Sequence, residues 1–203
     1  MRSPIRIHVL FISFSLMLYG CASNIAVSIR NGDINEVRSS INSSNVNSED
    51  SAGTPLYKAI VFKRTNIAKM LIYEKGADVN HASMGILMPL NTAISQKATE
   101  IARMLIEKGA NVNYVSKDGG TPLMFASIFD NVQVAKMLMA KGANVNSEDN
   151  DGNTPLSLSK SSEMTKLLVD KGAKSNARNK HGRTIAEQRE YFKERQASMG
   201  IQR

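Results

Sequence analysis

The stretch "TPLMFASIFDNVQVAKMLMAKGANVN", Thr121 to Asn146, decides the fold, because each part of it has a local physical job. Thr121 offers a hydroxyl to the free N–H groups of a first helical turn, and Pro122 suits the first helical position, where no N–H is needed. Leu123 and Ala126 fall on one face, with Ala126 small enough to let a neighbouring helix approach. A second helix follows, with Val134, Met137 and Leu138 at helical spacing. Gly142 can take the left-handed conformation that ends it. The stretch therefore reads helix, turn, helix, stop, loop.

The same reading recurs along the chain. "YEKGADVN" ends at Asn80, "IEKGANVN" at Asn113, "MAKGANVN" at Asn146 and "VDKGAKSN" at Asn176, with Gly spacings of 33, 33 and 30. Thr54-Pro55-Leu56, Thr121-Pro122-Leu123 and Thr154-Pro155-Leu156 stand ahead of three of these, and Met88-Pro89-Leu90 ahead of the other. A fixed period of this length signals stacked supersecondary units. One helix pair cannot bury its apolar face alone, whereas neighbours bury it together and the end units need a polar outer side. The absence of Trp and the reliance on Leu, Ile, Val, Met and Ala suit a helical core.

This unit resembles the ankyrin repeat, whose pattern runs G-x-T-P-L-H-x-A, then V-x-x-L-L, then G-A-x-V-N. The resemblance implies an all-α solenoid of stacked helix-turn-helix units with short β-hairpin loops. "SIRNGDINEVRSSI", Ser28 to Ile41, resembles the helical part of a leading repeat, and "KHGRTIAEQREYF", Lys180 to Phe192, a closing one. The expected division is a leading repeat over 26–47, repeats over 48–80, 81–113 and 114–146, a shortened repeat over 147–176, and a closing repeat with a basic tail over 177–203. Lys193, Glu194 and Arg195 suit the sealing role of the last helix.

Departures from the pattern predict defects. The family's His after T-P-L is Tyr57, Asn91, Met124 and Ser157 here, so its hydrogen bonds to neighbouring hairpins are absent. Met88 in place of Thr removes one helix cap, at a cost of about 1 kcal/mol. The 147–176 repeat is three residues short, in its first helix or the following turn, and the unit ending at Asn80 carries one extra residue around Tyr73.

The N-terminus reads as a targeting segment. Arg2 and Arg6 precede an apolar run, Val9 to Leu18, that as a helix spans only about 15 Å. A hydrocarbon core is about 30 Å thick, so this run is a signal-peptide core rather than a spanning helix. Leu18-Tyr19-Gly20-Cys21 resembles the lipobox of bacterial lipoproteins. The resemblance implies removal of residues 1–20 as a lipoprotein signal peptide. Lipid would then sit on the sulfur and amine of Cys21, with residues 21–25 as a short tether. Lipidation also disposes of an unpaired thiol in an oxidising compartment. Ala22 after the cysteine implies, in a Gram-negative cell, the outer membrane facing the periplasm.

Without Arg2 and Arg6, 24 Lys and Arg face 18 Asp and Glu, a net charge of +6. From Cys21 to Asp170 the counts are 15 and 15, and from Lys171 to Arg203 they are 9 and 3, so the excess sits in the last 33 residues. Such an excess in an envelope protein belongs either to a solvated end cap with incidental charge or to a surface for acidic protein or anionic lipid, rather than for nucleic acid. Beyond the leader the chain holds two histidines, His81 and His181, and its single cysteine is assigned to lipid. No catalytic constellation, metal set or cofactor motif can be assembled from them, and Gly119-Gly120 belongs to a repeat hairpin rather than a phosphate loop. A non-enzymatic protein with no cofactor is expected.

The resemblance implies protein binding through hairpin tips and the exposed side of the first helices. Carried over position by position, these are Lys117, Asp118, Gly120, Ile128 and Phe129, and in the preceding units Val61, Phe62, Met84, Gly85, Leu87, Ser95 and Gln96. A tip such as Met84-Gly-Ile-Leu-Met88 is ordinarily polar, and exposed apolar surface marks a contact site. Phe62 and Phe129 are anchor candidates. The competing reading tucks these side chains between repeats. The expected role is a monomeric, lipid-anchored binder of the bacterial envelope, foremost an immunity protein against a periplasm-delivered toxin such as a phospholipase. Alternatives are an envelope scaffold for a periplasmic enzyme or outer-membrane assembly, and a peripheral protein that binds anionic lipid through Arg189, Lys193 and Arg195.

Overall fold

The computed structural model describes residues 24–175, 181–184, 186–187, 190–191 and 194. Cys21, Arg189, Lys193 and Arg195 lie outside the described residues. The described residues include nine α-helices, α1 Asn24–Asn31, α2 Ile34–Ser40, α3 Pro55–Val61, α4 Thr65–Tyr73, α5 Pro89–Ser95, α6 Thr99–Glu107, α7 Pro122–Ile128, α8 Val132–Ala140 and α9 Ser162–Asp170, and residues 186–187, 190–191 and 194 are helical as well. Extended pairing is seen in two isolated antiparallel bridges, Asp50 with Gly53 and Ser83 with Leu87. The fold is an all-α solenoid. Two compact units divide the chain, Met1–Val112 and Asn113–Arg203.

In the first unit the first helices α1, α3 and α5 stack in one row and the second helices α2, α4 and α6 in another. Ile29, Ile60, Leu71, Ile94 and Leu105 are fully buried between them, each contributing about 1.5–3 kcal/mol by leaving water. Every first helix ends in the same way. The N–H groups of Asp33, Arg64 and Ala98 reach back five residues to the carbonyls of Ser28, Ala59 and Ala93. That closure requires a left-handed residue just before the donor. Gly32 fills it without strain at φ +84, but Lys63 and Lys97 fill it at φ +54 and +55.

In the second unit α7 packs on α8, and α8 on α9. Thr121 caps α7 by accepting from the Met124 N–H, Asn131 caps α8 and Ser161 caps α9. Thr154 accepts from the Ser157 N–H in the same manner, yet residues 155–158 form turns and no first helix develops there. Nine positions separate Pro122 from the cap Asn131, and six separate Pro155 from the cap Ser161. The three missing residues come out of the first helix. Farther on, Thr184 and Glu187 hold each other's backbone N–H groups as a capping box.

The asparagines that close the repeats clamp successive loops. Asn80 Oδ1 accepts from the Asn111 N–H at 2.8 Å while its Nδ2 donates to the Gly109 carbonyl at 3.2 Å. In the second unit Asn113 bonds the Asn144 N–H and the Gly142 carbonyl, and Asn146 bonds the Lys174 N–H and the Gly172 carbonyl. Asn47 accepts from the Asp78 N–H. The extra residue in the unit ending at Asn80 falls at the end of α4: Ala77 donates six residues back to Leu71, whereas Ala110 donates five back to Leu105. The widened turn brings Glu74 into an ion pair with Arg38, and Lys75 donates to the Arg38 carbonyl at 2.8 Å.

Met88 gives α5 no side-chain cap, as its lack of a hydroxyl dictates, but its own side chain is buried. Asn91, where the family has His, leaves its Oδ1 buried with no hydrogen bond among the described residues.

Candidate protein-binding surface

The loops ahead of α3, α5 and α7 fold back as tight hairpins because Gly or a turn-forming pair sits at the tip. In the hairpin of Ser83–Leu87 the Ser83 N–H donates to the Leu87 carbonyl at 3.0 Å, and the Leu87 N–H returns to the Ser83 carbonyl at 2.9 Å. Its two tip residues are Met84 at φ +53 and Gly85 at φ +70. A pair of left-handed residues makes a primed turn, for which Asn-Gly is the natural choice. Met84 carries about 1–2 kcal/mol of strain in that conformation. Its side chain is 43% exposed, and nothing lies within 4 Å of where a Gly85 Cβ would be.

The turn is held from behind. Glu49 Oε1 accepts from the Ser83 hydroxyl at 3.0 Å and from the Met84 N–H, and Ser83 Oγ in turn accepts from the Thr54 N–H at 2.9 Å. Ser83 is fully buried. It supplies the hairpin-to-helix hydrogen bond at this hairpin, on a chain where the family's His is missing. Next to it, Lys58 is buried on α3 and spends its ammonium on Asp50, at 2.7 Å, and on the Gly53 carbonyl, at 2.5 Å.

The hairpin of Ser116–Gly120 in the second unit is built differently. Its single left-handed residue is Gly119, φ +80, and a Cβ there would lie 2.6 Å from the Asn150 nitrogen and 2.7 Å from Asp149 Cα. Lys117 and Asp118 contribute carbonyls to the neighbouring hairpin, accepting from Asn150 Nδ2 at 2.9 Å and the Asn150 N–H at 3.1 Å. The Lys117 side chain is exposed and Asp118 is half-buried. Buried Asp149 accepts from the Asp151 and Asn153 N–H groups and from Asn153 Nδ2. Burial pushes its carboxyl above the usual range, against the pull of those donors.

The structure divides the expected contact residues into two edges in each unit. Met84 and Leu87 lie before a first helix, where hairpins gather. Val61 and Phe62 lie at its far end, Phe62 forming the C-cap of α3, and both are half-buried. In the second unit Lys117 and Asp118 precede α7, while Ile128 and Phe129 end it. Ile128 and Phe129 are half-buried, and the Phe129 ring stacks on Phe125 at 6.5 Å between centroids. Of the expected residues, Met84 is the apolar one that stands in solvent. Sequence reasoning missed Glu49 and Ser83, whose roles come from partners about 30 positions away. It also missed Val115, 60% exposed, Val169, 47%, and Tyr73, 42%. Tyr73 donates to Glu107 at 3.1 Å and lies under the Lys108 ammonium. Its hydroxyl is pushed up by desolvation and then by Glu107. Among the described residues no group of His, Cys, Asp and Glu could hold a metal ion, and no helix is long and apolar enough to cross a membrane.

Family comparison agrees with this architecture. The profile "Ankyrin repeats (3 copies)" matches residues 85–149 and "Ankyrin repeat" matches 53–83. This is an ankyrin-repeat protein. Such repeats mediate protein binding, and a protein partner follows for this chain. A search by sequence of curated proteins found no match. Among solved structures, the ankyrin-repeat chain is similar to one chain of "Bd0816 Predatory Endopeptidase from Bdellovibrio bacteriovorus in complex with immunity protein Bd3460". The identity is 25% and the TM-score 0.75, over 87% of this chain and 95% of that one.

Proposed function

We propose that this ankyrin-repeat protein is an immunity protein, a non-enzymatic binder that neutralises a hydrolytic toxin acting in its own cell's envelope. The observation that carries this reading is the likeness, over nearly the whole of both chains, to a structure of an endopeptidase with its immunity protein. That complex puts a peptide hydrolase ahead of a phospholipase as the class of toxin. Cys21 supplies the location. The first described helical residue, Asn24, lies three positions after Cys21, at most about 10 Å of chain. The repeats would work close to the membrane surface, where such an enzyme meets its substrate.

Deletion of the gene in its own strain, with every hydrolase gene retained, tests both parts. Self-lysis is expected, rescued by the wild-type gene and poorly by a Cys21→Ala copy. Unaffected growth of the deletion strain would reject the immunity role, and full rescue by Cys21→Ala would reject the anchor.

A further inference from the structure

The strained tip at Met84 has a chemistry of its own. A left-handed tip residue is free to be Asn or Gly, and either would relieve the strain that Met84 bears at φ +53. Strain of this kind persists where the surroundings hold it and where a side chain is needed in that place. The first condition is met, and the side chain is placed to meet the second. Glu49 and Ser83 hold the turn through the Met84 N–H and the Thr54 N–H, and the Met84 side chain projects into solvent with open space beside Gly85. Methionine suits an anchor, since its polarisable thioether adapts to irregular apolar walls.

Charge around the tip narrows the partner. Glu49 is exposed, and its second carboxylate oxygen holds no hydrogen bond among the described residues. Asp78, on the adjoining loop, is exposed as well. The cations of this part of the unit are engaged elsewhere: Lys58 is buried with Asp50, Lys75 bonds the Arg38 carbonyl and Lys108 lies over Tyr73. An apolar finger with anionic flanks fits an apolar cleft with a basic rim.

The geometry points to the Met84–Leu87 tip as the inserted anchor of the complex. Met84 enters an apolar cleft on a protein partner, and Glu49 meets a Lys or Arg on the rim of that cleft. This rests on the reading of the chain as a binder of a hydrolytic toxin, and it assigns that binding to one hairpin and one chemistry.

The test uses the full chain carrying the photo-reactive residue p-benzoylphenylalanine at position 84, at Phe62 or at Val169, irradiated in envelope extract of its own cells. The adducted protein is identified, purified, and titrated with the wild-type chain and two variants. Position 84 is expected to give the adduct. Met84→Asn keeps the turn and should weaken binding at least tenfold. Glu49→Gln keeps the acceptor for Ser83 and Met84 but loses the charge, and should weaken binding several-fold at low salt and less at high salt. Adducts from Phe62 or Val169 with none from position 84, or affinity of Met84→Asn within twofold of wild type, would overturn the assignment while leaving the binder reading intact. If the wild-type chain binds nothing in the extract, the binder reading falls and the assignment with it.

Discussion

Two hairpins of the same protein, Ser83–Leu87 and Ser116–Gly120, use left-handed backbone for opposite purposes. At Gly119 the missing side chain is what matters, because the backbone of the neighbouring hairpin lies within 2.6–2.9 Å of where a Cβ would be. At Met84 the side chain is what matters, because the space around the tip is open and a strained methionine fills it. One hairpin is shaped by the protein's own packing, and the other is proposed to be shaped by a partner. Lys63, Lys97 and Asp130 carry similar strain to complete a closure at a helix end, whereas the strained Met84 stands exposed at the tip of a hairpin.

The largest break in this contrast comes from Gly119→Ala. The new methyl group must both take a left-handed conformation and displace backbone, so a loss of about 2–4 kcal/mol in urea unfolding is expected. A loss under 0.5 kcal/mol would mean that the two hairpins are not pressed together as described. A smaller change sharpens the contrast from the other side. Lys97 is left-handed and exposed in the turn between α5 and α6, in the role that Gly32 plays between α1 and α2. Lys97→Gly should stabilise the protein by about 0.5–1 kcal/mol in the same assay, since no packing and no partner is proposed to need the lysine there. Weakened partner binding in this variant would show that strain in the turns between helices also serves recognition.

The repeat was legible because its signals are local. Thr121-Pro122 and Gly142 cap and stop helices within a few residues, so they act in the same way wherever the unit recurs. The lost cap at Met88 and the shortened first helix after Thr154 followed from the same local rules. The identity of the left-handed turn residues was not legible, since Lys63, Lys97 and Asp130 take that conformation to complete a backbone closure five residues long. Their side chains give no hint of it. Nor was the support of the candidate tip, because Glu49 and Ser83 meet across 34 positions through the stacking of two units. The apolar residues Phe62 and Phe129 invited a reading as anchors, and both prove half-buried, Phe129 against Phe125. Hydropathy marks both kinds of apolar residue alike, and only the stacked backbone separates a half-covered ring from a side chain in solvent.

The most direct measurement pairs stability and affinity on a single variant, Met84→Asn. Asparagine tolerates the left-handed conformation better than methionine, so the urea midpoint should rise, by about 0.5–1 kcal/mol in unfolding free energy, while affinity for the protein partner falls at least tenfold. Opposite changes are the mark of strain kept for recognition. A variant that is more stable and binds as well as the wild type, or one that loses stability, would contradict it.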